Sequence, residues 1–209
     1  VRYIPPPPET PIENRETVRD ILARSRRNPL RIPLPTDADR SRLLATFAPV
    51  LEIDQAGRQD EIGTPMLRDH NAPDVDVSDP TMFVRIAHTR HNGQTLLQLV
   101  YSVWFPERPP TGGVDLLAGR LDGITWRVTL DNSGEPLLFD SIHNCGCYHT
   151  FFPTGRLLAR DVTGLLQEPV LVGPTLAGWH PHNRVVLRIA SRTHYIDNAR
   201  LEMSADGET

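Results

Sequence analysis

The sequence predicts a mostly-β domain, an antiparallel sandwich or barrel with one or two short N-terminal helices packed on it. Three observations carry this expectation. An Asn92-Gly93 pair sits between two long apolar runs, the strongest short-range hairpin signal. A second pair of runs, Thr125 to Leu130 and Leu137 to His143, flanks the turn residues Asp131-Asn132-Ser133-Gly134. The 20 prolines are spread along the chain and leave little room for long helices.

Taken in order, residues 1–12 read as an extended arm carrying Pro5-Pro6-Pro7-Pro8, a stiff tether or a plain extended terminus. Asn14 to Arg26 forms a short helix, with Val18, Ile21 and Leu22 on one side and Asn14 as cap. Asp37 to Ala48 forms a second, with Leu43, Leu44 and Phe47 as its stripe and Pro49 as its stop. These elements define an N-terminal helical segment, 13–49, ahead of a β domain, 50–200, and a tail, 201–209.

Val50 to Asp54 is a short strand. Asp69 to Pro80 reads as a solvated acidic loop; Asp74, Asp76 and Asp79 lack the glycine and distal glutamate of an EF-hand loop. In the first hairpin, a two-residue Asn92-Gly93 loop pairs His91 with Gln94 and sets His88 opposite Leu97. His88 then shares a face with Val84, Ile86, Leu99 and Tyr101, so it is expected to point inward. Later strands are expected at Arg156–Arg160, Pro169–Val172 and Arg184–Ala190.

Composition narrows the function. All 22 basic residues are arginine, so Schiff-base, phosphate-loop-lysine and Ser-Lys chemistry are excluded. The net charge of −4 gives no electrostatic reason to expect nucleic acid as partner. No apolar run approaches the roughly 18 residues that span a bilayer. The chain begins at Val1 rather than Met, and the expectation is an exported, periplasmic-type protein from which a leader or anchor has been removed.

The chemistry concentrates in one segment, His143-Asn144-Cys145-Gly146-Cys147-Tyr148-His149. In a strand, side chains alternate, so Leu137, Phe139, Ser141, His143, Cys145, Cys147 and His149 would share a face that turns from apolar to metal-ligating. Alternate side chains lie roughly 6.6 Å apart, whereas a zinc ion needs its ligand atoms within about 2.0–2.3 Å. Two or three ligands are therefore expected from this segment, with a bend at Gly146. The rest would come from His180, His182, His88 or His194. Mixed sulfur and imidazole donors favour copper, then zinc. Paired Cys-x-x-Cys knuckles and an all-thiolate cluster set are both missing.

The functional expectation is a redox or metal-assisted enzyme acting on a small molecule, with Cys145, Cys147 and His149 as its catalytic candidates. A non-catalytic copper or zinc carrier is the alternative. Three other readings stay open: a strained Cys145–Cys147 disulfide used in redox exchange, a cysteine nucleophile served by His143 or His149 with Asp140 or Asp161 as orienter, and buried cysteines that only pack.

Overall fold

In the computed structural model, residues 1–12, 14–113, 115–157 and 170–203 are described. The elements are β1 (Arg2–Tyr3), α1 (Arg15–Ser25), α2 (Asp37–Thr46), β2 (Val50–Ile53), β3 (Thr64–Arg68), β4 (Ala72–Asp76), β5 (Phe83–His91), β6 (Gln94–Arg108), β7 (Gly119–Leu130), β8 (Pro136–His143), β9 (Thr150–Pro153), β10 (Leu171–Val172), β11 (Asn183–Ile189) and β12 (Ile196–Met203). They form a six-stranded sheet in the order β10-β9-β8-β7-β6-β5 and a four-stranded sheet in the order β1-β2-β11-β12, with β3 and β4 as a separate hairpin. Neither sheet closes on itself, so the fold is a sandwich and not a barrel.

The hairpin between β5 and β6 follows from its turn. Asn92 and Gly93 both take positive φ, 48° and 76°, the conformation a two-residue turn needs to match strand twist. His91 pairs with Gln94 and His88 with Leu97, in the expected register. On β6 the odd positions Leu97, Leu99, Tyr101, Val103 and Phe105 are buried. On β7 the even positions Ile124, Trp126, Val128 and Leu130 are buried. The register Tyr101↔Trp126 stacks these two rows side by side. Phe139 and Phe152 extend the layer across β8 and β9, and both rings contact Trp126. Leu51, Ile53, Val185, Leu187 and Ile189 supply the facing layer from the smaller sheet. Val103, Ile124 and Trp126 meet Leu51, Leu187 and Ile189 across one narrow interior gap.

Both helices are capped as the sequence requires. Asn14 Oδ1 accepts from Thr17 N, and Thr36 Oγ1 accepts from Asp39 N. Val18, Ile21 and Leu22 of α1 join the core. Helix α2 is fixed by Tyr101, whose hydroxyl donates to Leu44 O at 2.8 Å inside the core.

Several expectations need correction. Asp69–Pro80 is only partly loop: Ala72–Asp76 pairs with Thr64–Arg68, and Asp74 is clasped by Arg58 and Arg68. The arm is tied down, since β1 pairs with β2. Strands β9 and β12 were not expected, and β12 runs through Ile196–Met203, where the sequence suggested the start of a tail. Residues 154–157 are not strand, and 158–160 of the expected Arg156–Arg160 strand, like Pro169 of the next, lie outside the described residues. His88 is exposed rather than inward, because β5 is an edge strand whose faces are covered only in part; its Nε2 lies 2.7 Å from Pro33 O.

Tyr101→Phe keeps the ring but leaves a buried carbonyl at the end of α2 unpaired. The expected loss is about 1–2 kcal/mol, seen as a lower urea midpoint with an unchanged slope.

Candidate functional site

Strand β8 keeps its alternation through His143, which pairs with Ile124 of β7. Ser141 and His143 are buried, 5% exposed each, on the inner face. Then the chain turns. Gly146 N donates to His143 O at 2.8 Å, and His143 N donates to Cys147 O at 3.0 Å. Gly146 and Tyr148 take φ of 91° and 55°, and positive φ ends strand alternation. The expected single face is therefore split three ways. His143 points inward, Cys145 and Cys147 sit at the tip of the turn, and His149 emerges on the outer face of the sheet.

Asn144 fastens this turn. Its backbone N donates to Gly123 O at 2.8 Å, its Oδ1 accepts from Thr125 Oγ1 at 2.7 Å, and its Nδ2 donates to Val103 O at 3.4 Å. Glycine at 123 makes room for it: a Cβ there would lie 2.1 Å from Asn144 Nδ2 and 2.6 Å from Val103 O.

Behind His143 lies a buried row of acids and imidazoles. His143 Nδ1 is 3.3 Å from Asp122 Oδ1. The other oxygen of Asp122 is 2.7 Å from His194 Nδ1. His194 is fully buried, its ring stacked on Phe105 at 3.8 Å. Its Nε2 lies 3.4 Å from Asp60 Oδ1 but is not aligned for a hydrogen bond. Asp60 is also fully buried and accepts from Ala56 N, Ser191 Oγ and Arg192 N. Burial by itself would raise the Asp122 carboxyl, but the hydrogen bonds and charges of His143 and His194 outweigh it and hold the group well below its ordinary range. Burial is likewise the largest single influence on Asp60, and it is overcome by the amides of Ala56 and Arg192, the Ser191 hydroxyl and His194.

In front of His143 is a cavity of about 120 Å³ walled by Ile124, Ser141, Tyr148, Thr150, Tyr195 and Ile196. With Nδ1 turned to Asp122, the Nε2 of His143 has no hydrogen-bond partner among the described residues. The Tyr148 and Tyr195 rings meet edge-on at 4.4 Å, and each also meets the His143 ring.

The two cysteines are free, Cys145 exposed and Cys147 half-buried. They stand one residue apart on the turn, and the influence of Cys145, by hydrogen bonding and then charge, pushes the Cys147 thiol up against the pull of the Arg108 guanidinium.

His149 belongs to a different cluster. Its Nε2 lies 2.9 Å from Asp140 Oδ2, which also accepts from Arg127 Nε at 2.7 Å. The Asp140–His149 pairing suggested by the sequence is thus formed, on the side of the sheet away from His143. These residues line an open groove of about 300 Å³ together with Gln98 and Thr129. Asp161 lies outside the described residues.

The distal histidines also separate. His180 and His182 face each other with ring centroids 5.1 Å apart on a loop held by Trp179, which stacks on Phe47 at 4.2 Å. Burial, then the charges of His182 and Arg15, lower the His180 pKa. Among the described residues no three His, Cys, Asp or Glu side chains are arranged to hold one metal ion. Of the expected ligands, the structure brings His143 near His194 through Asp122 and, separately, His180 against His182, while the cysteines share the tip of the turn.

Asp60, Arg108, Asp122 and Tyr195 were missed in the sequence. For Asp122 a signal existed: it shares strand parity with Ile124, Trp126 and Val128, which places a carboxylate on an apolar face.

No protein-family model matches the chain, and no curated protein matches it. The fold and site define a β sandwich with a buried Asp/His row and a paired-thiol turn at one end. A solved structure described as "Toxin fold for microbial attack and plant defense" is similar over 70% of this chain and 68% of that chain, at 18% identity and a TM-score of 0.38. At that TM-score the likeness says nothing further about this chain.

Two outcomes are expected. Asp122 has a folded pKa below its ordinary 3.8, so its stabilising effect is complete above that pH and fades as pH falls toward the folded value. In Asp122→Asn, the slope of unfolding free energy against pH below 3.8 becomes shallower by about one proton, ~1.4 kcal/mol per pH unit, in acid-dependent urea titrations. Gly123→Ala drives a methyl into the Asn144 amide and a backbone carbonyl, costing about 1–3 kcal/mol, read as a lower Tm.

Proposed function

We propose that the protein acts through the Cys145–Cys147 pair as a thiol–disulfide exchange domain. The observation that carries this reading is a tight turn that places two free cysteines, one residue apart, at its tip. The more exposed Cys145 is the sulfur a substrate disulfide reaches first, and Cys147, whose thiol is pushed up, is the resolving one.

The exchange balances without another reactant. The Cys145 thiolate attacks one sulfur of a substrate disulfide, that S–S bond breaks, and a thiolate leaves and takes up a proton. Cys147 then loses its proton and attacks the Cys145 sulfur of the mixed disulfide. The second substrate thiol departs, and a Cys145–Cys147 disulfide remains. The substrate gains two electrons and the dithiol loses two. A ring closed over one intervening glycine is strained and readily takes two electrons back, so the same steps run in reverse pass the disulfide to a substrate dithiol. Small-molecule disulfides and exposed protein disulfides fit as substrates, and both belong to an oxidising, exported setting.

The same sulfur pair supports a second reading, a soft two-coordinate Cu(I) site serving a carrier or an enzyme. Zinc or Cu(II) would need imidazoles beside the sulfurs, and His143 and His149, each two residues from a cysteine, are the nearest in the chain.

Reduced protein treated with an aromatic disulfide such as dithiobis-nitrobenzoate should release two thiolates per chain. It should end as an intramolecular disulfide, two hydrogens lighter by mass. Cys147→Ser should stop at the mixed disulfide with one thiolate released. Wild-type protein left carrying two mixed disulfides would refute the exchange reading. Competition with a Cu(I) chelator tests the carrier: one Cu(I) per chain, lost in either single serine variant.

A further inference from the structure

We infer that the open groove on the outer face of the larger sheet binds a neutral polyhydroxylated ligand, a sugar ring. Strand register builds it. Arg127 of β7 pairs with Asp140 of β8, and Asp140 with Phe151 of β9, so a guanidinium, a carboxylate and a phenyl ring stand in one row across three strands. Gln98 of β6 pairs with Thr129 of β7 in the neighbouring row, and Gln98 Nε2 donates to Thr129 Oγ1 at 3.0 Å. All five side chains line the same groove, of about 300 Å³.

Asp140 decides what the groove accepts. Its side chain is only 4% exposed, yet its two oxygens are used unequally. Arg127 Nε donates to Oδ2 at 2.7 Å, Arg127 Nη2 donates to the same oxygen, and His149 Nε2 lies 2.9 Å from it. Among the described residues Oδ1 has no hydrogen-bond partner, and neither has Nη1 of Arg127. A buried carboxylate oxygen left without a donor is costly, so the groove holds an unfilled acceptor beside an unfilled donor. Gln98 Oε1 is a second acceptor without a partner among the described residues. Charge disfavours ionic ligands. The Asp140 carboxylate neutralises Arg127, and the two free acceptors would repel an anion. Arg90 lies exposed at the rim, where solvent and salt screen its charge. A cation would meet the free Nη1 of Arg127. What fits is a ligand that donates and accepts at neighbouring atoms, as vicinal hydroxyls do. The Phe151 and His149 rings, with centroids 4.1 Å apart, add an apolar wall for the C–H face of such a ring. The volume is at the lower end for ligand pockets, which suits one sugar, free or at the end of a chain.

This inference does not depend on the dithiol reading, and the double variant Cys145→Ser, Cys147→Ser should bind as wild type does. The whole protein is titrated with glucose, galactose and mannose, and with cellobiose, lactose and mannobiose, while amide chemical shifts are followed. At least one sugar should bind saturably, one per chain, with a Kd on the order of millimolar. Shifts should centre on residues 98, 127–129, 138–140 and 149–151. A disaccharide that binds more tightly than its monosaccharide identifies a chain end as the ligand; equal affinity identifies the free sugar. Asp140→Asn puts an amide N–H where the free acceptor stood and should weaken binding by at least about tenfold, the loss typical of a hydrogen bond to a charged group. Gln98→Ala and Phe151→Leu should each weaken it several-fold, and they serve if Asp140→Asn does not fold. Glucuronate should bind no more tightly than glucose. Absence of saturable binding by all six sugars, a preference for glucuronate, or unchanged affinity in the folded variants would overturn the inference.

Discussion

The end of the sandwich that carries the chemistry is organised around one buried carboxylate. Asp122 sits on β7 of the larger sheet and holds two imidazoles at once. One belongs to β8 of the same sheet, the other to the turn between β11 and β12 of the smaller sheet. A charge removed from water is tolerated only when its hydrogen-bonding capacity is met, so this contact fixes where the two sheets end relative to each other. Asp60 repeats the device one step further on, gathering the 56–60 and 191–192 loops around the same His194. The position of His143, and with it the cavity, follows from that arrangement.

The cysteine turn is placed by a different constraint. Asn144 docks on Gly123 and reaches two strands, so the two residues that flank it leave in fixed directions: inward for His143, outward for Cys145. The acid–base row and the thiol pair are thus neighbours in sequence but distinct in environment. One is screened from solvent by the core, and the other faces it. The outer Arg127–Asp140–His149 cluster is a third environment, reached from the same seven-residue stretch.

Much of the fold was legible because it rests on local rules. Asn92-Gly93 dictated both the turn and its register, and the alternating rows on β6 and β7 marked the buried faces. The helices declared themselves by cap and stripe. The edges were harder to read. His88 has apolar neighbours in sequence pattern, yet an edge strand buries little, and pattern alone does not say which strand lies at the edge. The site was half legible. Its segment and the bend at Gly146 were evident from residue type, but the bend was expected to converge His143, the cysteines and His149 rather than send them to three environments. The hydrogen bonds that close the turn belong to the backbone and have no residue-type signature. The partners of His143 come from positions 122, 194 and 60, and only Asp122 left a trace, as a charge on an apolar face. Arg108 left none, because its burial depends on how the end of β6 is covered.

The exposed face of β5 carries a further consequence. As the last strand of its sheet it offers an unpaired ladder on one side, the usual route to sheet-to-sheet stacking between molecules. It carries exposed Arg85 on one face and exposed Arg90 on the other. With arginine in place of lysine, the repulsion that keeps two such borders apart does not titrate away in alkaline solution. The charge on this border therefore persists into alkaline solution.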